Sequence, residues 1–142
     1  MAAGDAGHAM ASEEAMIVAG IGCGRETPAE DIVSLIAVAL SNFGIAQENL
    51  TAIATESSKA DERGIAGAAR SLSIPLLRCP VADLGRVADR VLTRSLRVQQ
   101  IKGVPSIAEA SALVAAGPNA RLLGARVAAN KVTCAIAVGE GS

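Results

Sequence analysis

The chain has no tryptophan, no tyrosine and a single phenylalanine, Phe43. Without aromatic rings it has no platform on which unpaired bases could stack, so no nucleic-acid partner is expected. Histidine is almost as scarce: the only one is His8. With no second histidine and no Cys-x-x-Cys pair, a structural zinc site is not expected. No metal and no cofactor of the protein's own is foreseen. The three cysteines, Cys23, Cys79 and Cys134, are odd in number and far apart, which is no disulfide framework. Reduced thiols in a cytoplasmic protein are the simpler expectation. Neither sign of charge dominates, with 13 basic against 14 acidic residues, so nothing in the overall charge calls for a polyanion. No apolar run approaches a membrane span. The first fifteen residues lack the basic start and apolar core of a signal peptide. No membrane partner is expected.

What the chain does have is aliphatic bulk. Hydrophobic residues make up 51% of its 142 positions, most of them Ala, Val, Ile and Leu, in a length that suits one domain. Such a core points to helices packed closely on a sheet. Residues 1–15 read as a disordered tail and 16–142 as the single domain.

Met16 to Glu30 organises the rest. The apolar run Met16–Ala19 is a strand start that ends in Gly20-Ile21-Gly22-Cys23-Gly24. Thr27-Pro28-Ala29-Glu30 fits a capping box, with Thr27 as N-cap and Pro28 at the first helical position. Apolar residues then recur at Ile32, Leu35, Ile36, Ala39, Leu40 and Phe43, one face of a helix that Gly44 should close. Leu50–Ala54 reads as the second strand. The polar stretch Thr55–Gly64 leads into a helix ending near Leu72. Ile74–Leu77 reads as a third strand, and Val81–Val91 as a helix weakened by Gly85. Thr93–Gly103, with Arg94, Arg97 and Lys102, reads as a basic loop. Ser106–Glu109 is a second capping box, opening a helix through Ala116. Arg121–Leu123 and Lys131–Val138 complete the strands, and their short connection demands antiparallel pairing. The expected fold is α/β: a mixed, mainly parallel five-stranded sheet flanked by helices in three layers.

Several motifs could carry chemistry. The glycine turn is not the dinucleotide fingerprint, because Arg25 stands where the third glycine is due, although Glu56 could imitate the ribose-binding acid. No Gly-Lys-Ser/Thr occurs, which excludes a P-loop. Strand, turn and helix start do make a place where backbone N–H groups can face an anion. Cys23 lies near a helix N-terminus and beside Arg25, which would lower a thiol pKa. No histidine base accompanies it, and it is read as a small residue packed under the turn. In a parallel sheet the loops after the first two strands open at the same edge. Thr55, Ser57, Ser58 and Lys59 should therefore stand beside Gly22–Thr27 around a cleft. Asp61 and Glu62 complement a helix dipole, Ser106 and Glu109 cap a helix, and the Thr133 hydroxyl could face the cleft.

Four stretches, in order, resemble the CobE/CbiG C-terminal domain family of cobalamin biosynthesis. They are Gly20-Ile21-Gly22-Cys23-x-Arg25-x-Thr27-Pro28-Ala29-Glu30; Ala54-Thr55 with Lys59-Ala60-Asp61-Glu62-x-Gly64; Gly103–Ala110; and Val132–Ala137. The family turn has a second basic residue where Gly24 stands and a glycine where Glu26 stands. One positive charge is therefore lost and one negative charge gained at the turn. The resemblance implies a part in building the corrin ring. CbiG-type members open a lactone on a cobalt-containing precorrin and release acetaldehyde; any cobalt would belong to the ligand.

On this basis the expected function is to bind or act on a precorrin tetrapyrrole, whose rim of carboxylates suits Arg25, Lys59, Arg63 and also Arg126 or Lys131. The expected binding residues are Gly20, Gly22, Cys23, Arg25, Thr27, Thr55, Lys59, Ser106 and Thr133. One alternative is a precorrin hydrolase with Asp61, Glu62 or Glu109 as general base. Another is a non-catalytic partner of a different cobalamin-pathway enzyme.

Overall fold

The computed structural model describes residues 16–93 and 106–141. The expected tail, and the expected basic loop from residue 94 onward, lie outside them. Strand β1 (Met16–Cys23) is apolar on both faces because both faces are covered. Ala19 and Ile21 pack into one cluster with Ile32, Leu35, Ile36 and Ile65. Val18 packs into the other with Leu84, Ala112 and Leu113. Helices α1 (Ala29–Asn42) and α2 (Arg63–Leu72) therefore lie on one face of the sheet. Helices α3 (Val81–Arg86) and α4 (Ile107–Ala116) lie on the other. This is the three-layer arrangement expected.

The remaining strands are β2 (Ala52–Glu56), β3 (Leu76–Cys79), β4 (Arg121–Leu122), β5 (Val127–Ala129) and β6 (Val132–Gly139). Their order is β3-β2-β1-β6-β4, with β5 also on β6. The β1–β2 and β2–β3 pairs are parallel, and β6 runs antiparallel to β1, β4 and β5. Five strands thus share one direction and β6 opposes them. The sheet is mixed and mainly parallel, as expected, but has six strands among the described residues rather than five.

The extra strand, β5, joins β6 through Asn130 and Lys131, whose φ values of 53° and 68° make the mirror-image turn that hairpins favour. Two other strands start two residues later than expected. Leu50 closes a short 3₁₀ turn instead of opening β2. Pro75 has no N–H for the ladder, though its carbonyl accepts from Ile53 N at 3.0 Å. The expected helix over Val81–Val91 stops at Arg86, and a 3₁₀ turn over Ala88–Arg90 follows.

Helix α1 buries the residues its spacing marked: Ile32, Leu35, Ile36, Ala39 and Leu40. Gly44, at φ +66°, closes it, and Ile45 N reaches back to Leu40 O at 3.0 Å. The start differs from expectation. Pro28 takes the N-cap, so Thr27 is one residue too early to cap, and its hydroxyl donates to Gly24 O at 2.9 Å instead.

Helix α4 is buried almost all round, with eight of its ten residues enclosed. It lies so close to β1 that a Cβ on Gly20 would sit 1.9 Å from Ala108 O. Only glycine permits that approach.

Candidate functional site

Two loops leave the sheet side by side at the carboxyl ends of β1 and β2. The parallel pairing ends at Gly20 and Ala54. Beyond it, the fully buried Thr55 donates its hydroxyl to Ile21 O at 2.7 Å and keeps the strand ends joined. Glu56, also buried, accepts from the Ser58 backbone N at 2.8 Å and from the Ser58 hydroxyl. Thr55 and Glu56 thus use these polar atoms on the framework, and Glu56 caps a 3₁₀ turn over Ser57–Lys59 rather than facing a ribose.

The β1–α1 turn meets the start of α2 through one long-range bond. Glu26, held at φ +59°, donates its backbone N–H to Glu62 Oε1 at 3.0 Å. Glu62 is the N-cap residue of α2, yet its carboxylate makes no capping bond and reaches across to this turn. Cys23 lies at the same junction. Burial raises its thiol pKa, which the Lys59 charge and a hydrogen bond with Thr27 partly offset and the Glu62 charge reinforces. The lowering expected from Arg25 and the helix start does not prevail, because desolvation is the largest effect. Cys23 is therefore a protonated, packed thiol at neutral pH.

Between these loops lies a cavity of about 800 Å³. One wall is the Glu26–Ala29 turn; the other is Asp61–Gly64 with Gly67 and Arg70. Gly67 keeps the floor open: a Cβ there would come within 3.1 Å of Ala29 Cβ and 3.9 Å of an Arg70 guanidinium nitrogen. Arg63 and Arg70 are seven residues apart, which puts them on one helix face about 10 Å apart along the axis. Asp61 is engaged by Arg78 at 3.1 Å, at an exposed position. Neither Arg63 nor Arg70 has an ion-pair partner among the described residues. The cavity walls thus carry two guanidinium groups without an ion-pair partner among the described residues, the exposed Glu26 carboxylate, Asp61 held by Arg78, and the Glu62 carboxylate tethered to a backbone N–H.

Of the expected residues, Thr27, Asp61, Glu62 and Arg63 line this cavity. Arg25, exposed on the turn, and Lys59 do not. Cys23 packs against the cluster beneath α1 and α2, and Thr55 bonds Ile21 O across the strand ends. Gly20, Gly22, Ser106 and Thr133 belong to the α4 side of the sheet. Gly20 lies under α4, and a Cβ on Gly22 would meet Thr133 Oγ1 at 2.7 Å. Thr133 donates its hydroxyl to Gly22 O at 3.3 Å. Ser106, fully buried, caps α4 by accepting from Glu109 N at 3.3 Å.

Glu109 does not complete that capping box. It is fully buried, and its carboxylate accepts from Leu92 N, Thr93 N, the Thr93 hydroxyl and Arg126 N, each at 2.8 Å. It ties two loops to α4, and its carboxylate oxygens are spent on these four bonds.

Two cavity features escape a linear reading. Arg70 was not singled out, although its spacing of seven from Arg63 was the available signal. Gly67 reads along the chain only as part of a helix. The other two thiols are remote from this chemistry: burial pushes Cys79 up to about 11 and Cys134 up to about 12. Among the described residues no group of three or more His, Cys, Asp or Glu side chains could hold a metal ion. No helix among them is long and apolar enough to cross a membrane.

Comparison with known proteins gives this architecture a family. Residues 17–137 match the family described as Cobalamin synthesis G C-terminus. A curated relative, Protein CobE of Sinorhizobium sp, is 34% identical over 121 residues, covering 85% of this chain and 79% of the relative. The crystal structure of CobE, a protein from the cobalamin (vitamin B12) biosynthetic pathway, superposes with a TM-score of 0.83 at 32% identity, over 90% of this chain and 93% of that one. Cobalamin biosynthesis protein chiG from Agrobacterium tumefaciens gives a TM-score of 0.68 at 37% identity, over 86% and 97%. The chain belongs to the CobE/CbiG C-terminal family of cobalamin-biosynthesis proteins.

Proposed function

We propose that the protein binds a precorrin or a related corrinoid intermediate in the cavity between the β1–α1 turn and α2. The observation that carries the proposal is a pair of guanidinium groups, Arg63 and Arg70, that have no ion-pair partner among the described residues and stand on the wall of a cavity of about 800 Å³. Corrin intermediates have an apolar macrocycle and a rim of carboxylates. Arginine forks match carboxylates two bonds at a time. The cavity lies within the size range of small-molecule sites. It admits one edge of such a ring, with Ala29 and Gly67 beneath and the arginines at two rim positions. Arg25 and Lys59, outside the cavity walls, would meet carboxylates further round the rim. Family membership supplies the pathway, and a cytoplasmic setting goes with it.

The hydrolase alternative has less support. Asp61 is engaged by Arg78, and Glu109 is sealed beneath two loops. Of the two candidate bases that line the cavity, Asp61 and Glu62, only Glu62 has no ion-pair partner among the described residues.

The test is a visible-spectrum titration of the purified protein with late precorrin intermediates, followed over time. A saturating shift that then stays constant is expected for a binder, and Arg63→Ala with Arg70→Ala should weaken it at least tenfold. Unchanged affinity in that double variant would refute the site. A bound spectrum that evolves into a new chromophore would make the protein an enzyme, and a test of Glu62→Gln would follow.

A further inference from the structure

Glu62 stands out among the cavity residues. Its carboxylate is not paired with either arginine of the same wall, nor does it cap its own helix. It crosses to the opposite wall and accepts the Glu26 N–H at 3.0 Å. That N–H belongs to a turn whose neighbouring polar groups are already committed. Gly24 N donates to Lys131 O at 3.1 Å, and the Thr27 hydroxyl donates to Gly24 O at 2.9 Å. Glu62 is thus a carboxylate on a backbone donor, one and eight positions before Arg63 and Arg70, which no carboxylate among the described residues holds.

We propose that Glu62 is an internal occupant of the cavity, a stand-in for a ligand carboxylate. An incoming carboxylate takes over the Glu26 N–H and pairs with Arg63 or Arg70, and Glu62 swings aside. The inference rests on the reading of this cavity as a tetrapyrrole site. The physical reasoning is competition. An anion already in the cavity repels a second one and uses one of the donors it would need. The contact is solvent-exposed, so it is weak enough to be exchanged. The effect is selective: a ligand with several carboxylates can displace Glu62 and still reach both arginines, whereas a monocarboxylate gains little over the resident group.

The probe is uroporphyrin I, a stable tetrapyrrole with eight carboxylates, with its octamethyl ester as the uncharged counterpart. Binding is followed by the shift of the visible band. Glu62→Ala should tighten uroporphyrin binding about fivefold, and Glu62→Gln, which keeps an acceptor but loses the charge, should fall between it and the parent. Glu30→Gln removes one exposed charge from the first turn of α1, outside the cavity walls, and should change affinity less than twofold. The ester should show no gain in any variant.

An unchanged or weaker affinity in Glu62→Ala and Glu62→Gln, while Arg63→Ala with Arg70→Ala abolishes binding, would overturn the stand-in role and leave the site intact. Full retention of binding in the arginine double variant would instead remove the site itself. An equal gain from Glu30→Gln would reduce the effect to net charge and overturn the inference. So would the absence of binding in both the parent and Glu62→Ala.

Discussion

Glu62 and Glu109 are both glutamates near the start of a helix, and both accept hydrogen bonds from backbone N–H groups of distant loops. Glu109 is fully buried and accepts four hydrogen bonds at 2.8 Å from three positions, Leu92, Thr93 and Arg126. Glu62 is partly exposed and accepts one, from Glu26. The difference separates a carboxylate that builds the fold from one that a ligand can replace. A buried anion survives only when its acceptor sites are filled, and once filled they are unavailable for chemistry. An exposed anion with a single bond gives up little when it leaves.

The largest expected effect tests that division directly. Glu109→Ala would leave three backbone N–H groups and a hydroxyl without their acceptor in a closed space, so a loss of about 3 kcal/mol or more is expected. Glu62→Ala should stay within about 0.5 kcal/mol. Urea unfolding of the two variants measures both. Similar losses would break the comparison and make Glu62 a framework residue.

The same contrast explains how much could be read along the chain. Residues whose role is set by near neighbours were legible: the α1 stripe, the Gly44 stop, the three layers and the side-by-side placement of the two loops. Residues whose role is set by distant partners were not. Glu109 has the spacing of a capping box, but its hydrogen-bond partners lie sixteen or seventeen positions away on either side. Thr55 and Thr133 have hydroxyls of the right kind for a cleft, but donate to Ile21 and Gly22 carbonyls on neighbouring strands. Gly20 and Gly22 read as a turn that a ligand could approach, whereas α4 is what approaches them. The β5–β6 turn was missed because Asn130-Lys131 lacks the glycine that usually announces it.

A second measurement sharpens the contrast through the thiols. Burial pushes Cys134 up from 9.0 to about 12 and Cys79 up from 9.0 to about 11. In the unfolded chain these thiols ionise near pH 9, whereas in the fold they stay protonated well above it. Their contribution is therefore complete below pH 9 and is lost as pH rises from 9 toward 11 and 12. Stability should fall by at most about 1.4 kcal/mol per pH unit for each thiol in that window. Cys134→Ala should flatten the fall, as read from urea midpoints between pH 8 and 11. An equally steep fall in Cys134→Ala would show that this thiol is not desolvated. Cys23, raised but less buried than the other two thiols, should be alkylated first as pH rises.

The smallest expected effect concerns the turn that holds Glu62. Glu26 sits at φ +59°, a left-handed conformation that favours glycine over any side chain with a Cβ. The resemblance to the family places a glycine at this position. Glu26→Gly should relieve the backbone cost, offset in part by a more flexible unfolded chain, for a net gain of up to about 1 kcal/mol. Glu26→Ala removes the same carboxylate but keeps the Cβ, so it should bring no such gain. On binding, the two variants should behave alike, because each takes one negative charge off the cavity wall and leaves the N–H in place. A thermal melt then reports the backbone and a tetrapyrrole titration reports the charge. If alanine stabilises as much as glycine, the strain at this turn comes from repulsion between the Glu26 and Glu62 carboxylates rather than from the backbone, and the cavity is more acidic in effect than its geometry suggests.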